Sequence, residues 1–340
     1  IQAFHPSSVS GVYNQVLEIL KSIFLDNEYD HEFSMTEIPC SILSGRLLQI
    51  LSFKTDWSIE EIEAFESIVL NIISRFPQIK DDNLLISFFT VFAEVVSLSL
   101  TTSISNDTIQ QIFDILVNNI NSSVLPVNYF CIDNLATYIQ MFTQFQSLPE
   151  PSFSPLFDMM RSRRPEMDRR SLLLLYISSN KINGLTILSE FLDYLPSCPL
   201  YLRDTLLEKS AKLTFCFSID NKWCIDTLIR IINDLSCDVS NTNVFELIYN
   251  YVSGKEKLQI YLIQKVYNIL VNSKKSVSDS FIKLATYLFG EFTYLLKDDI
   301  KLNSLIDLMS QLYLKSSGVN DSSKSMIITF LFKIAVKYPQ

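Results

Sequence analysis

The sequence predicts an all-α chain organised as an α-solenoid, a superhelix of antiparallel helix pairs, and three observations carry that prediction. Glycine is scarce, with six in 340 residues, which leaves few of the positive-φ turns that β-hairpins and nucleotide-binding loops need. Hydrophobic residues make up 48% of the chain, enough to bury a large core. Apolar residues recur at three- and four-residue spacing almost throughout, the period of an amphipathic helix.

The elements follow in order. In Val12-Tyr13-Asn14-Gln15-Val16-Leu17-Glu18-Ile19-Leu20, positions 12, 13, 16, 17, 19 and 20 form one stripe. Similar stripes run over about 40–52, 58–75, 82–103, 107–120 and 126–145. A proline-rich break, Leu148-Pro149-Glu150-Pro151, precedes stripes over about 153–161, 167–179, 184–195 and 200–217. The last group covers about 221–235, 242–253, 256–272, 277–296, 301–316 and 321–337. Punctuation agrees with these bounds. Ser58 with Glu61 three residues on reads as a capping box. Ser105-Asn106-Asp107 and Ser276-Val277-Ser278-Asp279 read as further helix starts. Pro77, Pro196 and Pro199 fall in turns, where a missing N–H costs nothing.

About sixteen helices, or about eight pairs of roughly 40 residues, match the period of HEAT and armadillo repeats. One such pair cannot bury both of its apolar faces, and stacked neighbours can. The expectation is therefore a single solenoid over 1–340 with a bend near 148–155. The start at Ile1 and the end at Tyr338-Pro339-Gln340 read as cuts through a longer chain.

Composition excludes several functions. A formal charge of −9 argues against a nucleic-acid surface and predicts no nucleic-acid partner. The six cysteines, Cys40, Cys131, Cys198, Cys216, Cys224 and Cys237, include no Cys-x-x-Cys pair, and there are two histidines, His5 and His31. No metal and no cofactor are expected from such a set, and scattered cysteines in apolar surroundings fit a reducing, cytoplasmic compartment. No phosphate-binding glycine loop, nucleophile elbow or zinc-protease string occurs. Glu60-Glu61 and Asp298-Asp299 fall near helix ends rather than across a cleft. The chain is expected to have no catalytic residue and not to be an enzyme.

Two segments each fit two readings. Leu84 to Ile104 is long enough to span a bilayer, yet Glu94 sits at its centre, where an acid costs about 2.5–3.5 kcal/mol, so a buried inner helix competes with a membrane span. Arg161, Arg163, Arg164, Arg169 and Arg170 form the dense basic cluster of the sequence. They fit an acidic-lipid or partner contact, or a solvated turn in which Pro165 breaks one helix and Asp168 offsets part of the charge. Trp57 and Trp223, each beside a helix start, are expected to wedge between neighbouring repeats, and Phe and Tyr at helical spacing are expected in the core.

Four strings go further. Asn221-Lys222-Trp223-Cys224-Ile225-Asp226-Thr227-Leu228 resembles the segment in adaptins where a Trp, two residues and Asp-Thr open a helix. Leu288-Phe289-Gly290-Glu291-Phe292-Thr293-Tyr294-Leu295-Leu296 resembles their apolar-Gly-Glu-aromatic element. Gln259-Ile260-Tyr261-Leu262-Ile263-Gln264-Lys265-Val266-Tyr267 is similar to the helix between them, and Arg169-Arg170-Ser171-Leu172-Leu173-Leu174-Leu175-Tyr176 to the Arg-rich helix start upstream. In this order they resemble a large subunit of a clathrin-type adaptor complex, of the γ/α/ε type. The likeness is good over 153–340, weaker over 126–147, and without a motif over 26–120.

The resemblance implies a curved trunk that scaffolds a coat. Its implied partners are the other adaptor subunits: a second large chain, a small σ-type chain and a medium μ-type chain. Clathrin and cargo would be reached indirectly, and the whole complex would touch phosphoinositide membranes peripherally. The implied setting is vesicle-mediated transport and endocytosis, in the cytoplasm, on trans-Golgi or endosomal membranes or in plasma-membrane coated pits. The family's lipid and dileucine-signal residues lie near the start of the large chain, so none is carried onto this sequence. Gly290 and Glu291 match family positions, and Gly290 is expected to permit close helix approach. Another HEAT-repeat scaffold, such as a nuclear transport receptor or a phosphatase scaffold, is the alternative.

Overall fold

Sixteen α-helices form among the described residues: α1 (Pro6–Phe24), α2 (Ser41–Leu51), α3 (Ile59–Arg75), α4 (Asp82–Ser99), α5 (Asn106–Asn118), α6 (Leu125–Met141), α7 (Phe153–Met160), α8 (Pro165–Ile177), α9 (Gly184–Tyr194), α10 (Leu200–Phe217), α11 (Asn221–Arg230), α12 (Asn243–Val252), α13 (Glu256–Asn272), α14 (Asp279–Phe292), α15 (Leu302–Leu314) and α16 (Asp321–Lys337). This computed structural model describes residues 6–30, 32, 38–79, 81–235, 243–272, 277–295, 302–314 and 320–338. His5, His31, Cys237, Ser276 and Asp298-Asp299 lie outside them.

The helix starts follow local chemistry. Ser58 caps α3 in a full capping box: the Glu61 amide donates to its hydroxyl, and its own amide donates to the Glu61 carboxylate at 2.8 Å. Ser105 caps α5 and Ser278 caps α14. Two ends come earlier than periodicity predicts. α4 stops at Ser99 because Leu98 O accepts from Thr101 and Thr102 amides and both hydroxyls. Local side-chain bonds of this kind compete with continued helix. α6 stops at Met141 because Phe142 turns extended and Phe145 stacks on Phe113, with ring centroids 4.0 Å apart.

The chain divides into two compact units, Ile1–Ser178 and Ser179–Gln340. The proline-rich break falls inside the first, where a 3-10 turn, Glu150–Ser152, leads into α7. In the first unit α1 packs on α3 and α3 on α5, while α2 packs on α4, α4 on α6 and α6 on α8. Contacts of α1 with α2, α5 with α6 and α7 with α8 join the two layers. In the second unit α10 packs on α12, α11 on α13 and α14 on α16. Helix n lying on helix n+2 is the packing of an α-solenoid.

α4 shows what that packing does. By length and composition it is, among the described residues, the helix apolar enough to cross a membrane. In the fold its Phe88, Val91, Phe92, Val95 and Val96 have no exposed surface, and it lies between α2 and α6. Each such side chain contributes about 1.5–3 kcal/mol on burial. Glu94 is half-buried; burial raises its carboxyl above the usual range and nearby Arg46 opposes that shift. Tyr138 of α6, also without exposed surface, hydrogen bonds Ser99. Trp57 packs on Phe65 of the helix it precedes, at 5.5 Å, and donates to Lys54 O. Lys54 lies over both its ring and that of Tyr13 in α1.

Carboxylates reach from one helix to the start of the helix two further on. Glu66 of α3 accepts from Ser105 and Thr108 at the start of α5. Asp82 of α4 accepts from Ser123, just before α6, at 2.9 Å. Asp279 of α14 accepts from the Asn320 amide at 3.1 Å and the Ser323 hydroxyl at 2.6 Å, at the start of α16, and pairs with Lys283 at 3.0 Å. These ties accept from hydroxyls, and in one case from the cap amide, at helix N-termini, where a negative charge also suits the helix dipole. They span 39 to 44 residues, which is the length of one repeat.

Burial opposes the charge on Asp279 and on Glu66, but the bonds each accepts outweigh it and hold both carboxyls below their ordinary values. A depressed folded-state pKa stabilises at pH above the unfolded value and is lost as pH falls through the folded one. The melting temperature is therefore expected to fall on acidification below about pH 4. Asp279→Asn, read by calorimetry across that range, is expected to flatten the dependence.

Two glycines differ in what they allow. A Cβ at Gly184, at the start of α9, would meet the Phe217 ring of α10 at 2.5 Å. At Gly290 of α14 the nearest atom is Lys333 Cδ at 3.6 Å, an ordinary contact, so the close approach expected there is found at Gly184 instead. Gly184→Ala is expected to cost about 1–3 kcal/mol by overpacking. Gly290→Ala is expected to stabilise by up to about 1 kcal/mol. Urea unfolding of the two variants checks both.

Candidate partner-binding face

The helices of the first unit differ in what they expose: α1 and α3 show Val12, Ile19, Ile59 and Leu70 to solvent, whereas α5 and α7 do not show a large apolar group. In α5 every exposed side chain is polar: Asn106, Asp107, Gln110, Gln111, Asp114 and Asn118. In α7 the exposed pair is Ser154 and Asp158. The even-numbered helices place apolar groups outward. Ile42, Arg46, Gln49 and Phe53 follow one another along α2 and its C-terminal turn, opposite the buried Ser44, Leu48 and Leu51. Ile86 of α4, Met141 of α6 and Leu173 of α8 are likewise exposed. Exposures of 69% for Ile42 and 58% for Phe53 leave most of each side chain in water. Single exposed apolar residues are ordinary. Exposed apolar groups on each of α2, α4, α6 and α8, with three on α2 and Phe53 after it, form a series that suits a protein contact.

The layer is braced by polar groups. Arg46 donates to Gln49 at 2.8 Å and lies near Glu94. Arg170 of α8 pairs with Asp133 of α6 at 2.6 Å, with its guanidinium 5.8 Å from the Tyr129 ring. Phe89 of α4 meets Phe130 of α6 edge-on at 5.7 Å.

The five clustered arginines separate into two groups. Arg170 joins α6 to α8, and Arg169 lies 3.4 Å from Glu166. Arg161, Arg163 and Arg164 project from the exposed turn between α7 and α8. Asp168 is fully buried beneath that turn and accepts from the Ser162 hydroxyl at 2.8 Å and the Arg164 amide at 3.2 Å. Pro165 stands at the first position of α8 and starts that helix, where its fixed φ is favourable.

Each of the distinctive strings contributes a tie between repeats. Asp226 of α11 accepts from the Tyr261 hydroxyl of α13 at 3.0 and 3.1 Å and pairs with Lys265 at 3.2 Å. Glu291 of α14 pairs with Lys333 of α16 at 2.5 Å, and Lys337 donates to Gly290 O. With Arg170 and Asp133, these join helix n to helix n+2 in every case. Trp223 is half-buried, and its amide donates to the α11 cap Asp220 at 2.7 Å. The apolar face of the even-numbered helices in the first unit carries no motif; alternation of exposed apolar positions with a buried stripe on α2 is its one signal in the sequence. Among the described residues no group of three or more His, Cys, Asp and Glu is placed to hold a metal.

The Asp226–Tyr261 bond is part-buried, so its coupling is expected at about 0.5–1.5 kcal/mol. A double-mutant cycle of Asp226→Ala and Tyr261→Phe, read by urea unfolding, measures it.

Comparison with known proteins bears on what this face serves. No family model matches the chain. It is 20% identical over 339 residues to the AP-2 complex subunit alpha of Schizosaccharomyces pombe, covering 98% of this chain and 38% of that protein. It is 23% identical over 288 residues to the AP-2 complex subunit alpha-1 of Arabidopsis thaliana, covering 84% of this chain and 28% of the relative. The AP-4 complex subunit epsilon-1 of Mus musculus is 20% identical over 338 residues, with 96% of this chain and 29% of the relative covered. The chain thus spans well under half the length of these relatives. The first of these alignments takes in almost the whole chain, so it includes most of 26–120, where no motif was found. A crystal structure of an engineered protein aligns with 94% of the chain and 77% of itself, at 14% identity and a TM-score of 0.43; the fold assignment rests on helix packing instead. Similarity to α and ε large subunits runs along nearly the full chain, on a stack whose inter-repeat ties fall at the adaptin-like strings, and it supports a relationship to the adaptin large subunits.

Proposed function

We propose that the 340 residues form a trunk segment of an adaptor-complex large subunit and act as a scaffold, not as an enzyme. The chain holds partner subunits through the even-numbered layer of its first unit. One observation carries this reading: Ile42, Phe53, Ile86, Met141 and Leu173 stand exposed on four successive even-numbered helices. Apolar anchors inside a polar surround are what a protein interface uses for affinity. The partners are a second large chain, a small σ-type chain and a medium μ-type chain. Through them the complex serves vesicle-mediated transport and endocytosis at the cytoplasmic face of Golgi, endosomal or plasma membranes.

Co-expression with the small and second large adaptor chains of the same organism tests it. Co-purification as a stable complex is expected. Phe53→Glu with Ile86→Glu should weaken capture about tenfold or more, because each buries a charge in the contact, while the far-UV circular dichroism stays unchanged. Gln111→Glu on α5 should leave capture intact. A chain that remains monomeric beside these subunits overturns the proposal, as does capture that survives the Phe53 and Ile86 changes.

A further inference from the structure

Nine arginines occur in the chain, and five of them lie within ten residues, from Arg161 to Arg170. Arg170 is spent on Asp133 and Arg169 lies against Glu166. Arg163 and Arg164 are both exposed, adjacent in the turn between α7 and α8, and among the described residues neither guanidinium has a carboxylate or carbonyl partner. The turn itself is anchored from below: Asp168, with no exposed surface, accepts from the Ser162 hydroxyl and from the Arg164 amide. Two unpartnered guanidinium groups thus stand on a turn held in place by a buried carboxylate. The surrounding chain carries a net charge of −9, and general solubility does not call for cations gathered at one point.

We propose that this turn binds a phosphorylated serine or threonine on a partner protein, with Arg163 and Arg164 as its ligands and Arg161 beside them. The residue type favours this over a membrane surface. A membrane attracts lysine and arginine alike through net charge, and this chain, with 28 lysines and arginines in all, has 19 lysines that are not gathered here. Arginine differs in presenting a planar fork that binds phosphate oxygens in pairs, and arginine clusters are a recurring means of phosphate-motif recognition. A phosphate monoester brings nearly two negative charges to one point, which matches two adjacent guanidinium groups better than a diffuse surface potential does. The inference is independent of the even-numbered face: the subunits held there could bind or not without changing it.

Fluorescein-labelled degenerate peptide pools, one with a central phosphoserine or phosphothreonine and one unphosphorylated, test it against the 340-residue chain by fluorescence anisotropy. The phosphorylated pool is expected to bind at least about tenfold more tightly. Arg163→Gln with Arg164→Gln should abolish that difference while leaving the melting temperature unchanged, since both side chains lie in solvent. Equal binding of the two pools overturns the proposal. So does a phosphate preference that survives the double substitution. Phosphatidylserine vesicles that capture the chain through Arg163 and Arg164, without any preference between the pools, would assign the turn to a membrane instead and overturn it as well.

Discussion

A helix pair in this chain has two apolar faces, one turned toward its own partner helix and one toward the next pair. The second can be buried only if another pair arrives at a fixed distance and in a fixed register. That requirement governs most of what the structure shows. It explains why helix n lies on helix n+2 in each unit, and why α4 can be apolar enough for a bilayer while serving as a core helix. Its apolar stripe is wide because it has neighbours on both flanks, α2 and α6. Dispersion and burial supply the bulk of the attraction, but they are non-directional and would tolerate a pair sliding along its neighbour.

Register comes from polar groups. Glu66, Asp82 and Asp279 each accept from a hydroxyl at the start of a helix one repeat away, and that hydroxyl stands at one place only. Ion pairs such as Arg170 with Asp133 and Lys333 with Glu291 are more exposed, and pairs of that kind add little to stability in water. Their use is orientation: a wrong register would leave charges without partners. The adaptin-like strings fall at these ties. Their distinctiveness therefore reflects geometry between repeats rather than chemistry at a site.

The same logic bears on the exposed positions of the first unit. Positions facing the neighbouring layer must be apolar, and the opposite positions carry no folding constraint. On α5 and α7 those free positions are polar, as solubility favours. On the even-numbered helices they include Ile42, Phe53, Ile86, Met141 and Leu173, which folding does not require. The arginine turn is a similar surplus, since α8 needs only Pro165 to start and the buried Asp168 to anchor it.

Much of the fold was legible in the sequence. The sixteen helices, the capping box at Ser58 and the starts at Ser105 and Ser278 rest on spacing and hydrogen-bonding groups within a few residues, and local signals of that kind survive in one dimension. The candidate face was less so, since exposure of Ile42 or Phe53 depends on which neighbours arrive. Tertiary structure alone decided that Gly184, not Gly290, is the tight approach, that Trp57 packs on its own helix, and that Phe145 draws the end of α6 out of helix. It alone decided the carboxylate ties as well, because their partners lie about forty residues apart, the length of one repeat. Periodicity determines that a helix has a face to bury; only the stacked neighbour determines which residue meets it.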